Sequence, residues 1–202
     1  MGLNYPETPV SGHRCNVIGS PPIFMKPADA VVESNSVIPY PMATTDLFYE
    51  VELVVAIING GRNIPLEAAN NCIFGYAVGL DMTRHDLQED AIDQGFPWDM
   101  SKGFDDSAPC SVLTPMSSID LLRTGDIELK VNGEVRQSSN ISKMIRSVPE
   151  IIHLLSKYVS LVSGDLIYTG TPEGSGSVYS GDTIEASISG LEPLVIHIGD
   201  RK

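Results

Sequence analysis

No apolar run in the sequence approaches the roughly 18 residues a helix needs to span a bilayer. The opening residues, GLNYPETP, have neither the basic nor the apolar region of a secretory leader. Cysteine is scarce. Cys15, Cys72 and Cys110 are odd in number and widely spaced, and they match no disulfide framework and no zinc spacing. They read as reduced packing thiols and, with the missing leader, point to a cytoplasmic protein. Basic residues are few, 13 Lys and Arg against 26 Asp and Glu, for a formal net charge of -13. That balance excludes nucleic acid and anionic membrane surfaces as partners. It does not exclude a small anionic substrate, which responds to the local field of a metal and a few bases. There is no internal repeat and no linker, so the 202 residues read as a single domain spanning 1–202. Within it, residues 1–22 are rich in Pro, Gly and Ser and read as loop.

What the chain does have is a pair of acids in its longest apolar run, LFYEVELVVAII, Leu47 to Ile58. Residues two apart on a strand share a face, so Glu50 and Glu52 project together. Burying two carboxylates side by side costs several kcal/mol each unless positive charge compensates. A hard divalent cation with oxygen ligands removes that cost. A strand at a sheet edge with both acids facing water fits the same pattern. A third acid, Asp81, ends the second apolar run, CIFGYAVGLD, in which Gly75 and Gly79 are spaced for close approach of another backbone. Taken alone, Asp81 is also a natural N-cap for the segment TRHDLQEDAID. Together, Glu50, Glu52 and Asp81 make a three-carboxylate site for Mg2+ or Mn2+, one ion per chain, with positions open to water and substrate.

The remaining pattern predicts many strands and few helices. Strands are expected at 23–26, 36–41, 47–58, 73–81, 127–131, 134–137, 165–169, 183–189 and 194–198, and Asn132-Gly133 marks a hairpin. Helices are expected over about 64–71, 84–93 and SVPEIIHLLSKYVSLV, the last with a Ser147/Glu150 capping box. No βαβ repeat is present. The chain therefore reads as α+β and β-rich, with helices on the outside.

The segments GLNY, FMKP, YEVELVVAI, GYAVGLDMT, DLQ, WDMSKGFDDSAPCS, VNGEVRQ, SGDLIYTGTPEG and GD at 181–182 together resemble the fumarylacetoacetate hydrolase family, in particular its small acylpyruvase-like members. The resemblance covers most of the chain. It implies a mixed β-roll core, a bound Mg2+ or Mn2+, and a homodimer. It also implies a small keto acid substrate: cleavage next to a 2,4-dioxo acid, decarboxylation of oxaloacetate, or tautomerisation. It places the metal on Glu50, Glu52 and Asp81. It gives Lys102 of SKGFD a catalytic and substrate-contacting role, and it makes Gln88 and Thr171 substrate-binding residues.

The sequence departs from the family's pattern in three places. Where relatives carry a His and then a Glu after the GxNY tyrosine, on a lid that activates water, this chain has Thr8 and Ser11. Neither is a base near neutral pH, so His13 becomes the candidate catalytic base of the lid, although its spacing is off the motif. The family's Arg four residues after the metal-binding Asp is replaced by His85, with Arg84 one position earlier; both are candidate substrate contacts. Relatives also carry a strand ahead of GLNY, so the chain is expected to begin short of the family's usual start. Acylpyruvate hydrolysis is the family default. The altered lid raises oxaloacetate decarboxylase or keto–enol tautomerase as the alternative, and a catalytically weak homologue that binds metal and keto acid as a third.

Overall fold

A computed structural model describes residues 1–6 and 21–201 of the chain. Thr8, Ser11, His13 and Cys15 lie outside the described residues. The architecture is α+β and β-rich. A five-stranded sheet runs in the order Glu134–Asn140, Asp126–Val131, Thr183–Ile188, Leu194–Arg201, Ser36–Tyr40. Its pairs are antiparallel except the last. The parallel strand Ser36–Tyr40 carries Pro39 and lies at the sheet edge, where a missing N–H is tolerated. Asn132 (φ 52°) and Gly133 (φ 80°) make the hairpin turn at the other end.

A second, four-stranded antiparallel sheet has the order Leu166–Tyr168, Val51–Ile57, Ile73–Leu80, Thr114–Pro115. Every residue of Val51–Ile57 is buried, because this strand is central and covered on both faces. The two glycines read from the sequence do allow close approach. A Cβ at Gly75 would lie 2.2 Å from the Thr114 carbonyl oxygen, and one at Gly79 would lie 2.6 Å from the Tyr168 ring. The helix Val148–Tyr158 starts at the expected capping box and stops at Tyr158, short of the apolar run's end.

The structure differs from the sequence reading in three informative places. The expected continuous strand 47–58 is broken at Glu50. Leu47–Tyr49 pairs in a separate three-stranded sheet with Gly176–Val178 and Thr83–Arg84, whereas Val51–Ile57 pairs in the four-stranded one. Its partner breaks at the same level, between Ile73–Leu80 and Thr83–Arg84. Glu50 and Asp81 therefore face each other where two chains cross together from one sheet to the next, and the Asp81 N–H donates to the Glu50 carbonyl at 2.9 Å. The stretch 23–26 is not a strand. Prolines 21, 22 and 27 bracket it and remove the donors that sheet pairing needs. The short helix expected at 64–71 is a 3₁₀ helix, Leu66–Cys72.

Candidate metal centre and active-site cleft

The two crossing chains place three carboxylates together. One ligand oxygen from each of Glu50, Glu52 and Asp81 lies within 4.8 Å of the others. Glu52 is about 1% exposed and the Glu50 side chain 14%, so the strand does not turn the pair to open water, and Asp81 is about 1% exposed as well. Each acid is held by named donors. The Gly170 N–H donates to Glu52 Oε2 at 2.6 Å. Gly170 has φ 102°, and a Cβ there would lie 2.6 Å from Asn4 Cβ, so only glycine lets this loop approach the N-terminal segment. Lys102, itself 2% exposed, donates from Nζ to Glu50 Oε2 and Asp81 Oδ2, both at 2.8 Å, and to Thr83 Oγ1. Lys26 Nζ pairs with Asp81 Oδ1 at 2.8 Å and also donates to the Met82 carbonyl at 2.9 Å.

Three carboxylates thus face two lysine ammonium groups, both of which lie on Asp81 and Glu50 rather than on Glu52. The Tyr5 hydroxyl, beside the Glu52 charge, is buried without a hydrogen-bond partner. A hard, oxygen-only donor set with more carboxylates than lysines and a spare polar atom fits a divalent cation. The titration behaviour agrees. Burial alone would raise Asp81, but the Lys102 and Lys26 charges hold its carboxyl well below the usual range. Burial opposes charging Lys102, yet Asp81 and Glu50 keep its ammonium firmly protonated. Glu52 has no lysine partner, and burial, opposed by the N-terminal ammonium and the Gly170 N–H but reinforced by the Asp81 and Glu50 charges, pushes it up to about 8.

This has a measurable consequence. An unfolded Glu loses its proton near 4.5, so from there to about 8 the folded, metal-free chain holds a proton that the unfolded chain has released. Stability of the metal-free protein should fall as pH rises through that window. A cation must displace the same proton, so Mn2+ affinity should rise by up to about tenfold per pH unit and level off above about pH 8. Calorimetry in buffers of different ionisation enthalpy should show proton release on binding. A flat affinity across roughly pH 6 to 8 would contradict it.

Above the carboxylates is a cleft of about 90 Å³. Glu50, Glu52, Lys102 and Thr171 line it, as do His85, Gln88, Glu89 and Ile92, one face of the helix His85–Gln94 at helical spacing. Phe24, Phe48 and Trp98 supply aromatic walls. Of the expected substrate contacts, Gln88, Lys102, Thr171 and His85 are therefore brought together. Arg84 is not among the lining residues. Its guanidinium lies 4.4 Å from the Phe104 ring centroid, and the reversed Arg–His order points the two side chains apart.

Sequence reasoning missed three residues that build this site. Lys26 sits in the non-strand stretch FMKP, where a lysine next to a proline carries no positional signal of its own. Gln137 is fully buried in the hairpin. Its Oε1 accepts from the Val51 N–H at 3.0 Å, and its Nε2 donates to Thr171 Oγ1 and to the Pro172 carbonyl, both at 2.8 Å. Asn4 ties the N-terminal segment to Thr169 and Arg146. All three partners are far off in sequence, so no local pattern exposes the bonds.

Three clustered carboxylates at a two-sheet crossing, beside a small cleft with a buried lysine, make a site that could hold a divalent cation. The chain belongs to the fumarylacetoacetate hydrolase family: residues 1–198 match the profile described as fumarylacetoacetate (FAA) hydrolase C-terminal. It is 45% identical over 176 residues to a fumarylpyruvate hydrolase of a Ralstonia species, covering 87% of this chain and 91% of the relative. It is 39% identical over 198 residues to the mitochondrial oxaloacetate tautomerase of Homo sapiens, covering 98% and 89%. The crystal structure of a Pseudomonas aeruginosa fumarylpyruvate hydrolase in complex with Mn2+ and pyruvate superposes with a TM-score of 0.86 at 45% identity, covering 88% of this chain and 78% of that one.

Proposed function

We propose that this protein is a divalent-metal-dependent enzyme that cleaves the carbon–carbon bond of a small acylpyruvate by hydrolysis, through a stabilised enolate. The observation that carries this reading is the clustering of Glu50, Glu52 and Asp81 beside a cleft that Glu50, Glu52, Lys102 and Thr171 line. Glu50, Glu52 and Asp81 would hold one Mg2+ or Mn2+ per chain. When bound, the cation supplies Lewis acidity to the keto and carboxylate oxygens of a 2-keto acid. Lys102 places an ammonium beside the charge that develops on the enolate oxygen. Gln137 Nε2 donates to Thr171 Oγ1 and so holds the threonine at the cleft wall, where it would contact the substrate. Gln88 offers an amide from the helix face, and Phe24, Phe48 and Trp98 exclude water from the acyl tail.

Keto–enol tautomerisation or decarboxylation of oxaloacetate is the second reading. The human relative is named an oxaloacetate tautomerase, and Thr8 and Ser11 replace the family's water-activating pair. Both readings need the enolate. The deciding experiment is a Mn2+- and Mg2+-dependent assay of purified protein on acetylpyruvate and oxaloacetate in parallel. Carbon–carbon cleavage, CO2 release and keto–enol exchange are scored separately. No turnover of either compound with either ion would end both readings.

We also propose a homodimer. Leu166–Tyr168 is an edge strand, and beside it a groove of about 700 Å³ is lined by Met25, Val31, Tyr158 and Val159. Met25 is 75% exposed and Tyr158 57% exposed, an apolar surface that a second copy would cover. Light scattering at micromolar concentration should give about twice the 21.8 kDa chain mass. A monomer mass would rule the dimer out. Among the described residues no helix is long and apolar enough to cross a membrane, and Cys72 and Cys110 are free and buried. Both facts are compatible with the cytoplasmic location read from the sequence.

A further inference from the structure

We infer that His85, oriented by Asp46, is the general base that activates water for hydrolysis, a role that relatives give to the lid pair this chain lacks. The inference rests on the acylpyruvate reading above. Four contacts build the pair. His85 Nδ1 lies 3.1 Å from Asp46 Oδ2. The His85 backbone N–H donates to the Asp46 carbonyl at 2.8 Å, so ring and main chain are held by the same residue. The imidazole stacks on Phe48 with centroids 3.7 Å apart and planes 2° from parallel, which removes the ring's freedom to tilt. Asp46 is itself fixed, because Ser177 Oγ donates to its other oxygen at 2.6 Å. The segment before it is pinned to the helix start by Asp86, which accepts from Thr44 Oγ1 and from the Thr45 N–H at 2.8 Å.

With Nδ1–H given to the carboxylate, the neutral ring keeps its lone pair on Nε2. His85 lines the same cleft as Glu50, Glu52, Lys102 and Thr171. A carboxylate orienting a histidine that faces a reacting centre is the arrangement general-base catalysis needs. The step balances without a further reagent. Nε2 takes a proton from water, and the water oxygen bonds to the C4 carbonyl carbon of the 2,4-dioxo acid. The C3–C4 bond then breaks, its electron pair stays on the pyruvate fragment as the enolate beside Lys102, and the proton returns to C3. The products are a carboxylic acid and pyruvate.

The test measures the ratio of acetylpyruvate hydrolysis to oxaloacetate enolisation, because only the first needs activated water. His85→Gln keeps a donor for Asp46 but has no basic nitrogen, and should lower this ratio by about 10²–10⁴-fold, the range for general-base assistance. Asp46→Asn, which removes the tautomer lock, should lower it in the same direction. Mn2+ and oxalate titrations of each variant establish that the site is still assembled. An unchanged ratio in His85→Gln with both ligands binding overturns the inference. So does a wild-type chain that enolises oxaloacetate but never hydrolyses acetylpyruvate, and that result leaves the enolate reading standing. A wild-type chain that binds Mn2+ but turns over neither compound overturns the enolate reading, and this inference with it.

Discussion

Lys102→Met should produce two effects of opposite sign. Turnover should fall by about 10²–10³-fold, the cost of removing one preorganised donor from a developing oxyanion. Mn2+ affinity should rise. The Lys102 ammonium lies 2.8 Å from oxygens of both Glu50 and Asp81, so an incoming cation meets a positive charge already seated on two of its ligands. Unit charges about 4 Å apart at an effective dielectric near 20 interact by about 4 kcal/mol. The flexible lysine stem can retreat from most of that, which leaves a gain of roughly tenfold in affinity as the expected result. The metal-free variant should also melt earlier and recover on adding Mn2+, because the carboxylates have lost their internal cation. Calorimetry with Mn2+, set beside steady-state kinetics, checks both signs. Weaker metal binding together with normal turnover would reduce Lys102 to a structural ion-pair partner.

Asp81→Asn should have the larger structural effect. Asp81 is the acid that both lysines grip, Lys26 at one oxygen and Lys102 at the other. Neutralising it leaves Lys26 without its carboxylate partner and Lys102 with Glu50 alone, and breaking a buried pair from one side costs about 3–5 kcal/mol. Removing one of three carboxylates should also weaken Mn2+ binding by about 10²-fold or more, in line with loss of a first ligand from an all-oxygen site. Thermal denaturation with and without Mn2+ separates the two losses: wild type should be stabilised by the ion and the variant should not. A variant that melts like wild type and still responds to Mn2+ would show that Asp81 is the helix cap the sequence also allowed. The structure already argues against that role, since the helix His85–Gln94 begins four residues later and Arg84 holds the capping position.

The sequence exposed the three clustered carboxylates because their signal is local. Two acids at strand spacing in an apolar run, and a third at the end of the next run, violate burial rules in a way one window can show. The hairpin at Asn132-Gly133 and the Ser147/Glu150 cap were legible for the same reason, as was the β-rich class. The break at Glu50 was not. It depends on which sheet each half of the run joins, and Leu47–Tyr49 and Val51–Ile57 have equally apolar neighbours in sequence. Lys26, Gln137 and the Asp46–His85 pair were hidden likewise, because each acts through a partner 34 to 86 residues away or across a helix start. Only folding brings Gln137 from a hairpin to the Thr171 loop.

By itself the sequence pointed to three carboxylates suited to a hard cation, in a protein unsuited to polyanions, and it did so through residue type and short-range periodicity, which the chain carries in its primary order. Lys102 and the small keto acid substrate came from the resemblance of whole motifs to a family, not from periodicity. Tertiary structure alone decided which charges compensate which. It gave Asp81 two lysines and Glu52 none, turned Arg84 onto Phe104, and set His85 between Phe48 and Asp46 in the cleft. Coulombic and hydrogen-bond energies depend on separations of a few ångströms, and those distances exist only once distant segments have packed together.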